Sequence, residues 1–227
     1  MEQEAKHERT AGRTRAQLRA PSMEHGLLNR ADGSAKFSFD KTSILAAVFG
    51  PTEVSLRDEI LDRATIKVTY KPKNGVAGPA EKEIECLIRQ TLEHVIIATL
   101  HPRTLINVVI QVLYDDGSAL SAAINAAFLA LLDAGIPLRS SLAAVSCATL
   151  ATSGELLLDP DAAEEQAAAS TCVFAFDGGS KPQLVASLTT GVMEERHFWR
   201  CLQASQRSTT TLLAYFRRAA QFQYERT

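Results

Sequence analysis

A single tryptophan and 6% aromatic residues exclude a surface built mainly from base-stacking platforms. Four cysteines, Cys86, Cys147, Cys172 and Cys201, stand apart with no C-x-x-C pair, so the ligand spacing of a zinc ribbon is missing. Free buried thiols in a reducing compartment are the expectation. No apolar run approaches the ~18–20 residues of a membrane helix, and the N-terminus is polar and charged rather than signal-like. A cytosolic or nuclear protein with no membrane partner is expected. The basic excess of a stand-alone nucleic-acid binder is absent too, because the net charge is −2; any RNA contact must use a local patch or basic partners. Walker, G-x-G-x-x-G, H-E-x-x-H and G-x-S-x-G motifs do not occur.

What remains is an ordinary globular mixture, with 46% hydrophobic and 22% charged residues in 227. That length suits one compact domain with a substantial core. Residues 1–16 are rich in charge and poor in apolar periodicity, which predicts a disordered tail before a single domain over 17–227.

Within the domain the period switches between two and 3.6. Leu27-Leu28, a turn at Asp32-Gly33 and AKFSF (35–39) predict a hairpin. SILAAVFGPTEV (43–54) predicts a central strand, and ATIKVTYKP (64–72) a half-buried one with Ile66, Val68 and Tyr70 on one face. Ile84, Leu87, Ile88, Leu92 and Val95 mark an amphipathic helix from Pro79 to about Leu100. INVVIQVLY (106–114) is strand-like, and LSAAINAAFLALLDAG (120–135) is a buried helix closed by Gly135. Four strands follow, at 141–151, 155–159, 170–176 and 182–191. Residues 194–224 form a closing helix with Phe198, Cys201, Leu202, Leu212, Tyr215 and Phe216 inward. This order predicts an α/β (α+β) sandwich of two sheets separated by helices.

Several strings in that order resemble the RNase PH family: LLNRADGSAKFSFDKTSILAAVFGPTEV (27–54), IRQTLEHVI (88–96), LHPRT (100–104), QVLYDDGSALSAAINAAFLALLDAGIP (111–137) and LLLDPDAAEE (156–165). Within the family they are similar to ring subunits of the eukaryotic RNA exosome. The resemblance implies two pseudo-repeated ββαβα halves of the ribosomal protein S5 domain 2-like kind. It also implies a hexameric ring with other RNase PH-like subunits, RNA-binding cap subunits and single-stranded RNA as partners. Its setting would be the nucleus, nucleolus and cytoplasm, and its role 3′-to-5′ RNA processing and degradation, including that of rRNA. Active members are phosphorolytic, whereas most eukaryotic ring subunits have lost the chemistry.

Phosphorolysis needs an anion seat, an acid or metal at the leaving oxygen, and basic grips on the RNA. The resemblance places the phosphate seat at Gly117, Ser118 and Ser121. Where active members typically carry Arg, this chain has Ala119, losing a charge-assisted contact of roughly 1.5–3 kcal/mol. An ordinary helix N-cap at Ser118 or Asp116 is the competing reading. The catalytic carboxylates map to Asp159 and Glu165, and Asp159, Asp161 and Glu165, with Glu164 between, form a candidate site for Mg²⁺ or Mn²⁺. A solvated acidic turn or helix start is the alternative. Lys82, Arg89 and Arg103 are candidate RNA grips, against a solvated helix face. Trp199 and Phe198 read as core or subunit-contact residues. A non-catalytic or weakly catalytic ring subunit requiring no cofactor is expected. The alternative is an active 3′ exoribonuclease, alone or as a homodimer, using phosphate or a divalent ion.

Overall fold

A computed structural model describes residue 9 and residues 12–150, 154–179 and 182–224. Nine strands and four helices are assigned among them. β1 (Pro21–His25), β2 (Gly33–Phe39), β3 (Thr42–Glu53), β4 (Thr65–Lys71) and β5 (Thr104–Tyr114) form the first sheet, in the order β1-β2-β3-β5-β4. Only the β4–β5 pairing is parallel, and α1 (Pro79–Val95) supplies its crossover. The second sheet joins β6 (Leu142–Leu150), β7 (Leu156–Leu158), β8 (Ala168–Asp177) and β9 (Leu184–Gly191) in the order β7-β6-β8-β9.

Between the sheets runs α2 (Ala119–Asp133), and twelve of its fifteen residues are buried, which suits a helix with apolar surface all round. It packs on β2 and β3 on one side and on β6 and β8 on the other. Alanines let both sheets come close. At the helix end, a side chain on Gly33 would meet the Ala134 nitrogen at 2.3 Å, so β2 can start there only as glycine. α2 is tied to the second sheet by Asn125, which is fully buried. Its Nδ2 donates to the Ala144 carbonyl at 2.9 Å and its Oδ1 accepts from the Ala144 N–H at 2.8 Å. α4 (Glu195–Tyr224) closes the second sheet from outside, with Cys201, Leu212 and Phe216 buried and Phe198, Leu202 and Tyr215 packed against the core.

The predicted two-sheet α/β architecture is present, and its departures from expectation have physical causes. The first hairpin strand is Pro21–His25, paired with β2, while Leu27 and Leu28 lie exposed in the connection. α1 stops at Val95 rather than Leu100. Its last turn is tied to the segment after α2, since Arg139 donates its N–H to the Val95 carbonyl at 2.8 Å and Ile97 to that of Pro137 at 3.0 Å. A short 3₁₀ turn, Ala98–Leu100, fills the remainder. The acidic segment carries the start of a helix, one of the two alternatives for it, as α3 (Ala162–Ala167). Its Asp161–Glu164 capping box is a local start signal. Cys86 is exposed, unlike the other three thiols.

Residues 1–8, 10 and 11 of the predicted disordered tail lie outside the described residues, but the rest of that segment corrects the prediction. Arg9 is 5% exposed and the Arg15 carbonyl accepts from the Leu158 N–H at 3.0 Å. Arginine side chains, not apolar ones, bring this segment to the domain, so hydrophobic periodicity carries no trace of it.

Asn125→Ala leaves both backbone groups of Ala144 without their partner in a dry interface. The expected loss is about 3 kcal/mol of folding stability, read as a lower urea midpoint with an unchanged slope; an unaltered midpoint would contradict the tie between the layers.

Candidate functional site: a glycine-serine loop closed by arginines

The loop between β5 and α2 is built from Asp115, Asp116, Gly117 and Ser118. Gly117 has φ 83°, and a side chain there would meet the Asp161 carbonyl carbon at 2.6 Å. Glycine therefore lets this loop lie directly on the backbone of residues 160–162, which lead from β7 into α3. Ser118 is also left-handed (φ 59°) and caps α2 without a side-chain bond to the helix. Its hydroxyl instead donates to the Pro160 carbonyl at 3.0 Å, and its N–H donates to Glu165 Oε1 at 2.7 Å. The Gly117 N–H donates to Asp115 Oδ1 at 3.1 Å. Ser121 Oγ donates to the Ser118 carbonyl at 2.9 Å and accepts from Ser146 Oγ at 2.9 Å.

Arg19 holds the two loops together. Its Nε and Nη2 grip the Asp159 carboxylate at 2.9 and 2.7 Å, and its own N–H donates to Asp159 Oδ2 at 2.8 Å. The rest of the guanidinium donates to the carbonyls of Asp116 at 2.9 Å and Gly117 at 3.1 Å and to Thr42 Oγ1 at 3.2 Å. Thr42 Oγ1 in turn donates to the Gly117 carbonyl at 2.8 Å and accepts from the Asp116 N–H at 3.1 Å. Burial lowers the Arg19 pKa, but the hydrogen bonds and charge of Asp159, with Asp116 and Asp161, outweigh it and leave the group raised. Both partners of the pair are nearly inaccessible, so removing one side strands a buried charge at a cost of about 3–5 kcal/mol. A second fork lies beside it: Arg9 Nε and Nη2 each meet a Glu164 oxygen at 2.9 Å, and Nη2 also donates to the Leu158 carbonyl at 2.8 Å.

These bonds correct the expected metal cluster. Asp159 faces Arg19, Glu164 faces Arg9, Asp161 accepts the Glu164 N–H at 2.8 Å, and Glu165 accepts the Ser118 N–H. Among the described residues no three His, Cys, Asp or Glu side chains converge as a cation site. The donor set does not fit Mg²⁺ or Mn²⁺, which need several oxygens aimed at one point. The expected phosphate seat is likewise engaged by the chain itself, for the carboxylate of Glu165 occupies the Ser118 amide. Burial pushes the Glu165 carboxyl up from its ordinary value, the Ser118 N–H pulls it back down, and Asp115 adds to the rise.

The structure thus brings Gly117, Ser118, Ser121, Asp159 and Glu165 to one place and leaves the basic candidates elsewhere. Lys82 and Arg89 line a groove of about 520 Å³ between α1 and β4, together with Lys67, Glu85 and Cys86. Arg89 Nε is 3.9 Å from Glu93 and Arg103 Nε is 3.2 Å from Glu59. Arg103 precedes β5 and the loop follows it, so the two stand at opposite ends of an eleven-residue strand, roughly 35 Å apart. Sequence reasoning missed Arg9, Arg19 and Thr42. The available signal was the run of arginines at 9, 13, 15 and 19 set against the acidic stretch 159–165.

A family model for the 3′ exoribonuclease family, domain 1, matches residues 17–137, from just before β1 through the end of α2 and beyond. The chain belongs to this family. Among curated members, an exosome complex exonuclease RRP46 homolog of Arabidopsis thaliana is 37% identical, with 93% of this chain and 95% of that protein covered. The exosome complex component rrp46 of Schizosaccharomyces pombe is 36% identical over 79% of this chain and 80% of its own. A crystal structure of rice Rrp46 superposes with a TM-score of 0.87 at 37% identity, covering 92% of this chain and 98% of that one. An Archaeoglobus fulgidus exosome with RNA bound shares the fold at a TM-score of 0.78 and 21% identity.

Because its folded pKa is raised, Glu165 supports the fold fully below its unfolded value, and that support is lost as pH rises through the folded value. Glu165→Gln does not titrate. The stability of the variant relative to the parent is therefore expected to improve steadily from pH 4 to pH 7 in denaturant titrations. A difference independent of pH, or one of opposite slope, would contradict the placement of Glu165.

Proposed function

We propose that this chain is an RNase PH-like subunit of an RNA exosome ring, supporting 3′-to-5′ RNA processing and degradation, including that of rRNA, as a scaffold rather than as a phosphorolytic enzyme. One observation carries the second half of the statement. The Ser118 N–H, the donor that would greet an incoming phosphate, is already bonded to Glu165 Oε1 at 2.7 Å, and the next residue is Ala119 rather than a guanidinium. The near-complete coverage of plant relatives named as exosome complex exonuclease homologs supports the first half.

In this role the partners are other RNase PH-like subunits in a hexameric ring, RNA-binding cap subunits and single-stranded RNA. Lys82 and Arg89 in the groove beside β4, and Arg103 at the start of β5, are the grips on the RNA backbone, as point and forked charges for phosphate. The role requires no cofactor; Mg²⁺, Mn²⁺ or inorganic phosphate would belong only to an active nuclease. Nucleus, nucleolus and cytoplasm form part of the same proposal. No helix among the described residues is long and apolar enough to cross a membrane.

The test incubates the pure chain with end-labelled single-stranded RNA and Mg²⁺, with and without inorganic phosphate. No nucleoside diphosphates and no monophosphates are expected. Mixed with RNase PH-like partner subunits, the chain is expected to elute at the mass of a ring. Phosphate-dependent release of diphosphates, or metal-dependent release of monophosphates lost on Glu165→Ala, would replace the scaffold with the active exoribonuclease. Failure to enter any ring would remove the exosome role.

A further inference from the structure

The chain is mildly acidic, yet its charge is unevenly shared. α4 carries five of the 24 basic residues and one of the 26 acidic ones, so this helix has a net charge of +4 while the remainder has −6. All five cations are arginine, at 196, 200, 207, 217 and 218, and no Asp or Glu occurs from Arg196 to Tyr224. At 100° per residue, Arg196, Trp199, Arg200, Gln203 and Arg207 fall on one face. All five are exposed, since the opposite face is turned inward, with Cys201 and Leu212 buried and Phe216 packed against Phe37 and Phe128. Among the described residues Arg196, Arg200 and Arg207 have no ion-pair or hydrogen-bond partner, whereas Arg217 is bonded to the Gly178 carbonyl.

Of the two expectations for Trp199, a core or a subunit-contact residue, the first is not met. It is 52% exposed, although an indole is among the side chains that most favour burial. The ring is nevertheless fixed, because Nε1 donates to Glu195 Oε1 at 3.2 Å and its edge meets Phe198 at a centroid distance of 5.7 Å. A held indole offers an open face within the arginine row, between Arg196 and Arg200, and the helical rise spaces Arg196, Arg200 and Arg207 about 6 and about 10 Å apart along the axis.

We propose that this outer face of α4 is a single-stranded RNA contact surface, separate from the loop and from the groove at β4. Forked guanidiniums take backbone phosphates and the Trp199 face stacks a base. An acidic protein segment would satisfy the charges, but it would give the exposed, immobilised indole nothing to stack on. The choice of RNA rests on the function proposed above; the place rests on α4 alone.

Trp199 is the chain's single tryptophan, so its emission reports on this face and no other. The full chain is titrated with a fluorescein-labelled uridine 20-mer while anisotropy and tryptophan emission are both followed. Binding and quenching are expected to share one midpoint. Arg196→Gln, Arg200→Gln and Arg207→Gln combined should weaken binding at least about tenfold at 0.1 M salt. The same change should lower the slope of log affinity against log salt by about 2, at roughly 0.7 per phosphate contact. Trp199→Ala should cost about tenfold. These positions are on the surface, and far-UV circular dichroism confirms that the variants fold. RNA bound at full affinity with no change in Trp199 emission would place RNA elsewhere, overturning this site and leaving the RNA role standing. Equal quenching by polyglutamate would make the face a protein-docking surface instead. Absence of any RNA binding would overturn the site too, and ring assembly then decides separately on the exosome role.

Discussion

Burying an arginine beside an aspartate is tolerable only when nearly every donor and acceptor is matched, and Arg19 meets that demand with the Asp159 carboxylate, three backbone groups and Thr42. The pair is therefore more than a contact between two side chains. Its guanidinium reaches the carbonyls of Asp116 and Gly117 on one loop while Asp159 belongs to the other. The β5–α2 turn and the β7–α3 turn come from different halves of the molecule, and a residue from before β1 joins them. The loops that it joins carry the left-handed backbone of Gly117, Ser118 and Asp159.

From that constraint the chemistry follows. A loop of glycine and serine at a helix start offers amides to an anion, and the link between loops delivers a carboxylate, Glu165, to the Ser118 amide. An internal anion competes with an external one at the same donor, at an effective concentration no free ligand matches. Asp159 and Glu164 are in the converse situation. Each is saturated by an arginine from the N-terminal segment, so neither presents free lone pairs outward. The loop keeps an anion-seat geometry while its donors and acceptors satisfy one another, which favours rigidity.

The architecture was largely legible in the residues. Period-two and period-3.6 patterns placed β3, β4, α1, β5, α2 and α4, because each buries one continuous apolar face or is apolar all round. The strings around Gly117 and Asp159 marked the region of the site. Less visible were features held by polar side chains acting over long sequence separations. Arg9 finds Glu164 and Arg19 finds Asp159 across more than a hundred residues, and no local pattern encodes such a meeting. Acidic residues in a cluster read as ligands for a metal because the sequence hides the arginines that face them. Trp199 misled for a related reason. Aromatic residues next to Phe198 suggest core, yet neighbours in a helix point 100° apart, and here one turns inward to Phe174 while the other faces solvent.

The central claim is that the Ser118 amide is held by Glu165 and closed to phosphate. It is tested most directly by the ¹H–¹⁵N resonance of Ser118 in the labelled chain during a titration with inorganic phosphate at neutral pH. The account predicts no saturable shift in the parent protein and a Ser118 shift that follows the ionisation of Glu165 as pH is lowered. A saturable response of Ser118 to phosphate, with Glu165 intact, would contradict it.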